Sequence, residues 1–217
     1  MKILIVAATE KEIEPLLEKL EVKKILHNLK ICKYKKLHID VLISGIGMVS
    51  TAYYCTKNIS GKYDFALNLG IAGSFKKIIK VGDVVNVVSD KFSELGAENG
   101  EEFLSLKELN LDNEAGIENK SLIKNNILKN LKKVSGITVN TVHGNTLSIK
   151  KIVKKFNPDI ETMEGAAFML VCKKEKIPCA QIRAISNFVE RRNKKNWNIL
   201  IAIKNLNTAT IQILDAF

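Results

Sequence analysis

The carboxylate of Glu12 is the first side chain in this sequence that is placed for chemistry. It follows Lys2–Ala8, an apolar run that predicts a fully buried strand. In one interpretation Thr9 and Glu12 form a capping box, in which the carboxylate only reaches back to a backbone N–H. In the other, Pro15 moves the start of the helix towards Lys11, because proline is tolerated in a first turn, and the carboxylate stays free for acid–base work. The pattern alone leaves both interpretations open.

Two more polar side chains stand at predicted strand ends. Glu164 lies at the junction between a short apolar strand and a helix that begins with small residues. The helix dipole favours a carboxylate there, and the same carboxylate is placed to accept hydrogen bonds from vicinal sugar hydroxyls. Asn187 follows the buried strand that contains Arg183. Asparagine at such a position is commonly a turn residue, but its amide can also donate and accept hydrogen bonds to a ligand.

Two glycine-rich segments follow predicted strands. Ser44–Ser50 opens a helix and approximates a dinucleotide-binding fingerprint, with Ser50 in place of the third glycine and Asp64 too early for the ribose-binding acid. Gly70–Ser74, which includes Ala72 and Gly73, predicts a second turn. Such turns at strand ends are typical of a ligand crevice in an α/β sheet, although plain tight turns also use glycine.

Short apolar runs alternate with amphipathic stretches, which predicts an α/β protein with a sheet between helices. The expected strands are Lys2–Ala8, Ile31–Tyr34, Leu37–Ile43, Phe65–Leu69, Asp83–Val88, Ile137–His143, Ile160–Met163 and Cys179–Ile185. The expected helices are Thr9–Leu20, Val49–Asn58, Lys120–Lys133, Gly165–Lys174 and Asn198–Leu214. Residues 94–116 predict a long functional loop. No repeat or change in composition marks a boundary, so we expect one domain over residues 1–217.

The composition excludes several classes of protein. The chain has 217 residues, of which 46% are apolar, and a formal net charge of +11, which excludes a disordered tail. Arg183, Arg191 and Arg192 are the only arginines among 34 basic residues, and the lysines are spread over the predicted helices. We therefore expect no nucleic-acid partner. No apolar run is long enough for a membrane span and no signal peptide is evident, so we expect a cytoplasmic protein without a membrane partner. The four cysteines form no metal-binding or disulfide pattern.

Taken in order, six motifs resemble the nucleoside phosphorylase and nucleosidase superfamily. They are the first strand with Glu12, SGIG, NLGIAGS, VGDVV, MEGAA and RAISN, and the resemblance runs from Lys2 to about Leu214. It implies a three-layer α/β/α sandwich with a central twisted mixed β-sheet. It also implies a purine nucleoside as the small-molecule substrate, no cofactor and no metal, and a homodimer or larger homo-oligomer in which a neighbouring subunit can contribute to the site.

The resemblance also implies roles for individual residues. Glu12 would activate water, Glu164 would bind the ribose hydroxyls, and Asn187 would contact the leaving base. Met163 would pack under the ribose, although a core methionine is nearly as well supported. The remaining expected binding residues are Leu147 and Ser148, in the loop after Gly144, with Ala72, Gly73, Phe92 and Arg183.

Asn187 separates two branches of the superfamily. Nucleosidases for methylthioadenosine and S-adenosylhomocysteine have an aspartate there, which protonates N7 of adenine, and a neutral amide cannot act as that acid. An amide can donate to O6 or N7 of a 6-oxopurine and accept from its N1–H, a pattern that adenine reverses. Together with Phe92–Phe103 and Ser186–Asn193, it resembles the branch that hydrolyses futalosine to release hypoxanthine in an alternative menaquinone pathway. Thr162, where the methylthioadenosine enzymes have a glutamate, is a second departure from them.

A substrate of that branch carries an aryl carboxylate. Arg191 or Arg192 would bind this group through a bidentate contact, although two solvated loop arginines are about as well supported. The alternatives are a methylthioadenosine nucleosidase, a purine nucleoside phosphorylase and a basic module that binds nucleosides or nucleic acid without catalysis. Hydrolysis is favoured over phosphorolysis because the SGIG segment has no arginine to bind phosphate.

Overall fold

A computed structural model describes residues 1–59, 63–111, 116–119 and 123–217 and has a central mixed sheet between helices. The strands are β1 (Lys2–Ala7), β2 (Glu21–Leu26), β3 (Leu29–Tyr34), β4 (Leu37–Ile43), β5 (Phe65–Ser74), β6 (Val84–Phe92), β7 (Gly96–Asn99), β8 (Glu102–Ser105), β9 (Gly116–Glu118), β10 (Lys132–Thr138), β11 (Ile160–Thr162) and β12 (Cys179–Phe188). The helices are α1 (Glu10–Leu17), α2 (Met48–Asn58), α3 (Asn126–Asn130), α4 (Thr146–Phe156), α5 (Gly165–Lys174) and α6 (Ile199–Asp215). A 3₁₀ turn covers Lys194–Asn196.

The strand order in the main sheet is β11-β10-β6-β12-β5-β1-β4-β3-β2, with β9 added to β6 and a separate β7–β8 hairpin. β1 is parallel to both β4 and β5, and β5 is parallel to β12, so these strands end at one edge of the sheet. β11 pairs with both β10 and β5, which closes β5, β12, β6, β10 and β11 into a ring. The expected mixed sheet is therefore confirmed.

The layers follow from the apolar pattern of β1. Ile3 and Ile5 belong to a buried cluster that also contains residues of α1 and α6. Leu4 and Val6 belong to a second cluster, which contains residues of α2 and α5. Because helices cover both faces of this strand, every side chain from Ile3 to Ala7 is buried, as a continuous apolar run predicts.

The region before β10 differs from the expectation. Helix α3 covers only Asn126–Asn130, so the predicted helix Lys120–Lys133 extends past it at the C-terminal end. The strand β10 begins at Lys132, five residues before the predicted strand Ile137–His143. Asn125 caps α3 by accepting a hydrogen bond from Leu128 N–H at 3.1 Å. Residues 120–122 lie outside the described part of the chain.

Other differences concern short elements. The predicted loop 94–116 contains the β7–β8 hairpin, although residues 112–115 lie outside the described part. Neither β2 nor α4 is predicted, so Leu147 and Ser148 lie in the first turn of a helix rather than in a loop. Asn145 caps α4, accepting from Leu147 N–H at 2.8 Å. The α5 prediction agrees residue for residue.

None of the helices in the described ranges has the length and hydropathy that a membrane crossing requires. The four cysteines are free thiols, and all of them are buried.

Candidate active site

Glu12 forms the capping box of the first interpretation, and only one of its two oxygens takes part in it. Its Oε2 accepts hydrogen bonds from the Thr9 backbone N–H and from the Thr9 hydroxyl, each at 3.1 Å, as in a capping box. Its Oε1 accepts from the backbone N–H of Ile71 at 3.2 Å. One oxygen therefore caps α1, while the other faces the β5 segment that was expected to bind a ligand.

Pro15 lies inside α1, against the expectation that it would shift the start of the helix. Asn207 from α6 inserts its amide beside this turn. Its Nδ2 donates to the Glu12 carbonyl at 2.8 Å, and its Oδ1 accepts from Leu16 N–H at 3.0 Å. In an unbroken helix these two backbone groups would bond to each other, so Asn207 satisfies both where the helix is disturbed.

The predicted turn Gly70–Ser74 is wrong, because β5 continues through it to Ser74. Arg183 to Phe188 of β12 pair with this segment, which makes the glycines strand residues. A Cβ on Gly70 would lie 3.0 Å from Arg183 Nη1 and 3.2 Å from Glu12 Oε1. Glycine therefore leaves space for the carboxylate and the guanidinium to approach the backbone of β5.

Arg183 is buried, and its guanidinium is close enough to interact with the carboxylates of Glu12 and Glu164. Its Nη2 donates to Asn68 Oδ1, and its Nε is among the buried atoms that have no hydrogen-bond partner within the described residues. Burial lowers the pKa of the guanidinium, and the charges of Glu164, Glu12 and Asp90 act in the opposite direction. A buried cation therefore balances the acidic groups of the site.

Glu164 is the N-cap residue of α5 and is half-buried. Its Oε1 accepts from Gly47 N–H at 3.0 Å, which connects α5 to the SGIG segment. Burial raises the pKa of this carboxyl, whereas Arg183 and the backbone N–H groups of Gly47 and Met163 lower it. Gly47 has φ of +92°, a left-handed conformation that favours glycine, and this conformation lets its N–H reach the carboxylate.

Asn187 lies near the end of β12, beside Gly73 of β5. Its Nδ2 is 3.3 Å from the position a Cβ on Gly73 would take, and Val189 Cγ2 is 2.8 Å from the same point. The Asn187 amide donates to Phe188 O at 2.9 Å and accepts from the Ser186 hydroxyl at 2.8 Å. Gly73 lies three residues beyond Gly70, a separation of about 10 Å along a strand.

A buried polar network beneath α5 is a feature that sequence reasoning missed. Asp90 accepts from Gln181 Nε2 at 3.1 Å and from the Thr138 hydroxyl at 3.0 Å. The Thr138 hydroxyl in turn accepts from Ala166 N–H at 2.8 Å, in the first turn of α5. Burial raises the pKa of Asp90 to about 6, although Gln181 and Thr138 act against this. A Cβ on Gly165 would lie 2.0 Å from Gln181 Nε2, so only glycine allows this approach.

A second missed feature is the pair of Glu161 and His143. Glu161 Oε2 lies 2.7 Å from His143 Nδ1, and Oε1 accepts from His143 N–H at 3.1 Å. Their side chains are 4% and 12% exposed. Glu161 also pairs with Gly73 in the sheet, on the side opposite Asn187. No sequence motif signals this pair, because its members are separated by a helix.

The other expected site residues are more dispersed. Ala72 and Gly73 are buried in β5, and Met163 is half-buried beside Glu164. Phe92 ends β6 and packs against the cluster that includes residues of α2 and α5. Leu147 is 69% exposed, and the Ser148 hydroxyl donates to Asn145 O at 2.9 Å.

Arg191 and Arg192 are both exposed. The Arg192 N–H donates to Gly144 O at 3.0 Å, and its guanidinium lies 5.2 Å from the centre of the Trp197 ring. Across residues 1–59, 63–111, 116–119 and 123–217, no three His, Cys, Asp or Glu side chains are grouped to hold a metal ion.

Curated relatives match most of the chain. A 5′-methylthioadenosine/S-adenosylhomocysteine nucleosidase from Buchnera aphidicola subsp. Schizaphis graminum is 28% identical over 97% of this chain and 94% of its own length. An aminodeoxyfutalosine nucleosidase from Campylobacter jejuni is 31% identical over 86% of each chain. A futalosine hydrolase from Acidothermus cellulolyticus is 25% identical over 78% of this chain and 72% of its own.

Solved structures share the fold. A futalosine hydrolase from Helicobacter pylori has a TM-score of 0.84 at 22% identity, covering 100% of this chain and 98% of its own. A 5′-methylthioadenosine/S-adenosylhomocysteine nucleosidase from Colwellia psychrerythraea, in complex with adenine, has a TM-score of 0.82 at 23% identity, with coverage of 100% and 95%. The phosphorylase superfamily profile matches residues 2–217. The protein therefore belongs to the phosphorylase superfamily and is an N-glycosidase hydrolase.

Proposed function

We propose that this enzyme hydrolyses the N-glycosidic bond of futalosine and releases hypoxanthine, as a step of menaquinone biosynthesis. The observation that best supports it is the placement of Glu12 and Arg183 against Gly70, with Glu164 close enough to interact with both charges and the neutral amide of Asn187 about three strand residues further on.

Glu12 is the base that deprotonates the attacking water. Its Oε1 faces Ile71 N–H and the Arg183 guanidinium, so the carboxylate is held in one orientation. The water attacks C1′ as the bond to the purine breaks through an oxocarbenium-like transition state. General-base catalysis of this kind contributes about 10²–10⁴-fold to the rate.

Glu164 binds the 2′- and 3′-hydroxyls of the sugar. Its Oε1 accepts from Gly47 N–H, and its other oxygen turns to the substrate hydroxyls. Hydrogen bonds from the hydroxyls strengthen as positive charge develops on the sugar ring, so this contact favours the transition state over the ground state. Met163 packs beneath the ribose, beside Glu164.

Asn187 binds the leaving 6-oxopurine. When its amide turns from Phe188 O to the base, Nδ2 donates to O6 or N7 and Oδ1 accepts from N1–H. Adenine presents the reverse pattern at N1 and C6, so an amide here discriminates against it. We propose that Ala72, Gly73, Leu147 and Ser148 form the walls of the base site.

The aryl carboxylate of futalosine requires a cation at the far end of the site. We propose Arg191 for it, with Phe92 as an apolar wall. Arg192 is engaged with Gly144 and Trp197, whereas Arg191 is exposed and has no contact of this kind in the described part of the chain. This refines the expectation that either arginine could serve.

Hydrolysis of methylthioadenosine or S-adenosylhomocysteine is the second candidate, because the Buchnera relative named for that activity covers nearly the whole chain. Each candidate predicts a different base. The enzyme is incubated with futalosine, inosine and methylthioadenosine, with and without phosphate, and the released base is identified by chromatography. Hypoxanthine from futalosine, independent of phosphate, is expected. Adenine alone would refute the futalosine assignment, and a strict need for phosphate would indicate a phosphorylase.

We further propose a cytoplasmic homo-oligomer with no nucleic-acid or membrane partner. Ile46, Val49 and Tyr53 are 62%, 78% and 58% exposed next to the Gly47–Glu164 contact, where a second copy would cover them. Sedimentation equilibrium tests this: a dimer or larger assembly is expected, and a monomer at micromolar concentration would contradict it.

A further inference from the structure

The structure contains an imidazole–carboxylate pair beside the segment assigned to the base, with no role in the mechanism so far. His143 Nδ1 is 2.7 Å from Glu161 Oε2, and the backbone N–H of His143 donates to Oε1 of the same carboxylate. A carboxylate that binds Nδ1–H fixes the tautomer and the ring orientation, and it stabilises the imidazolium.

The position of this pair relative to Asn187 is set by the sheet. Gly73 pairs with Glu161 on one side and with Asn187 on the other. Glu161 Cγ is 3.6 Å, and Asn187 Nδ2 is 3.3 Å, from the point where a Cβ on Gly73 would lie. The pair and the amide therefore flank the same residue of β5.

The second ring nitrogen of His143 is available. Nε2 has no hydrogen-bond partner in the ranges that the structure describes, and the side chain is 12% exposed, so a ligand can reach it. The Phe75 ring, 6.3 Å away between centroids, packs edge-on against the imidazole and limits its rotation.

We propose that His143, held by Glu161, donates the proton to the leaving purine. This inference rests on the proposed function, in which Asn187 occupies the base site and cannot supply a proton itself. As the C1′–N9 bond breaks, its electron pair moves into the purine, and the Nε2 proton of the imidazolium transfers to a ring nitrogen of the base. The water oxygen bonds to C1′ and its proton moves to Glu12. Solvent then reprotonates His143 and removes the proton from Glu12.

Charged side chains approach the His143 imidazole from several elements. Glu161 from β11 is in direct contact with the imidazole. Of the groups near the connection between β10 and α4, Glu94 accepts from Asn140 N–H at 2.8 Å, and the Arg192 guanidinium lies over Trp197. A general acid acts only while it carries its proton, so a role for His143 as the acid predicts a kcat that declines at high pH.

The test compares His143→Gln with a matched control, His38→Gln, which alters an exposed histidine of β4. The wild-type kcat for futalosine, or for the nucleoside the wild-type enzyme hydrolyses best, is measured from pH 5 to pH 10. We expect H143Q to lower kcat by about 10²-fold or more and to remove the decline at high pH. The control should keep the wild-type profile.

Glu161→Gln supplies an independent measurement that does not depend on the stability of H143Q. It keeps an acceptor for His143 but removes the charge, so the decline in kcat should move to lower pH while KM changes little. The proposal is wrong if H143Q retains the high-pH decline, or if E161Q has the wild-type profile. If the wild-type enzyme releases no base from any nucleoside, the proposed function fails instead, whatever these variants do.

Discussion

Substitution of Glu12 by glutamine separates the two functions that its carboxylate combines. The structure assigns Oε2 to the cap of α1 and Oε1 to the Ile71 N–H. An amide retains one oxygen, which can stay with the Thr9 N–H, and its nitrogen then faces a donor instead of accepting from it. The substitution removes the base but preserves most of the cap.

The expected effect of E12Q on the activation free energy is several times larger than its expected effect on the free energy of unfolding. Loss of general-base catalysis should reduce kcat by about 10²–10⁴-fold, or about 3–5 kcal/mol in activation free energy. Loss of a cap typically costs about 1 kcal/mol of unfolding free energy, and E12Q should lose no more than this.

The matched variant is Thr9→Val, which removes the hydroxyl that donates to Oε2 and keeps the backbone N–H. Its unfolding free energy should fall by about 1 kcal/mol, and its kcat by at most about tenfold, because Glu12 keeps two of three hydrogen bonds. Base release is followed by chromatography and stability by urea denaturation. If T9V loses as much activity as E12Q, or if E12Q remains active, the assignment of Glu12 as the base is wrong.

The remaining predictions concern the strand, the base contact and the buried acid. Gly70→Ala places a methyl group 3.0 Å from the buried Nη1 of Arg183, so kcat should fall by about 10²-fold. In the control Gly116→Ala the nearest atom is 3.4 Å from the new methyl group, and kcat should not change. Asn187→Asp replaces the amide that recognises a 6-oxopurine, so hypoxanthine release should fall relative to adenine release, and unchanged selectivity in a two-substrate competition would remove Asn187 from that role. The pKa of Asp90 is raised to about 6 in the fold against about 3.9 in an unfolded chain, so the proton it binds stabilises the fold below pH 4 and this contribution is lost as pH rises through 6. The free energy of unfolding, measured by urea denaturation between pH 4 and pH 7, should therefore decline by about 3 kcal/mol less in Asp90→Asn than in the wild-type protein. Parallel plots of unfolding free energy against pH for the two proteins would contradict this prediction.

The buried strands and α5 could be predicted because their signals are local. A strand covered on both faces reads as a continuous apolar run, as Lys2–Ala7 does, and the small residues after Glu164 mark the start of a helix. The motifs also predicted that Glu12, Glu164 and Asn187 stand at strand ends. They did not predict which groups these side chains contact.

The errors arose where distant segments override local preference. Gly70–Ser74 has the composition of a turn, but pairing with β12 makes it strand. Pro15 is compatible with α1 because Asn207, far along the chain, satisfies neighbouring backbone groups. Asp90 and Gln181 lie on different strands, so no spacing in the sequence connects them.

The amide of Asn207 has a consequence for the order in which the enzyme becomes active during synthesis. The side chain that bonds the Glu12 carbonyl belongs to α6 and is synthesised 195 residues after Glu12. A nascent chain that ends after β12 therefore still lacks Asn207, which supports the helical turn that carries the Glu12 carboxylate. Any chain that stops before Asn207 lacks that support, so a prematurely terminated product would carry the site residues without this contact to hold the turn of Glu12 in place.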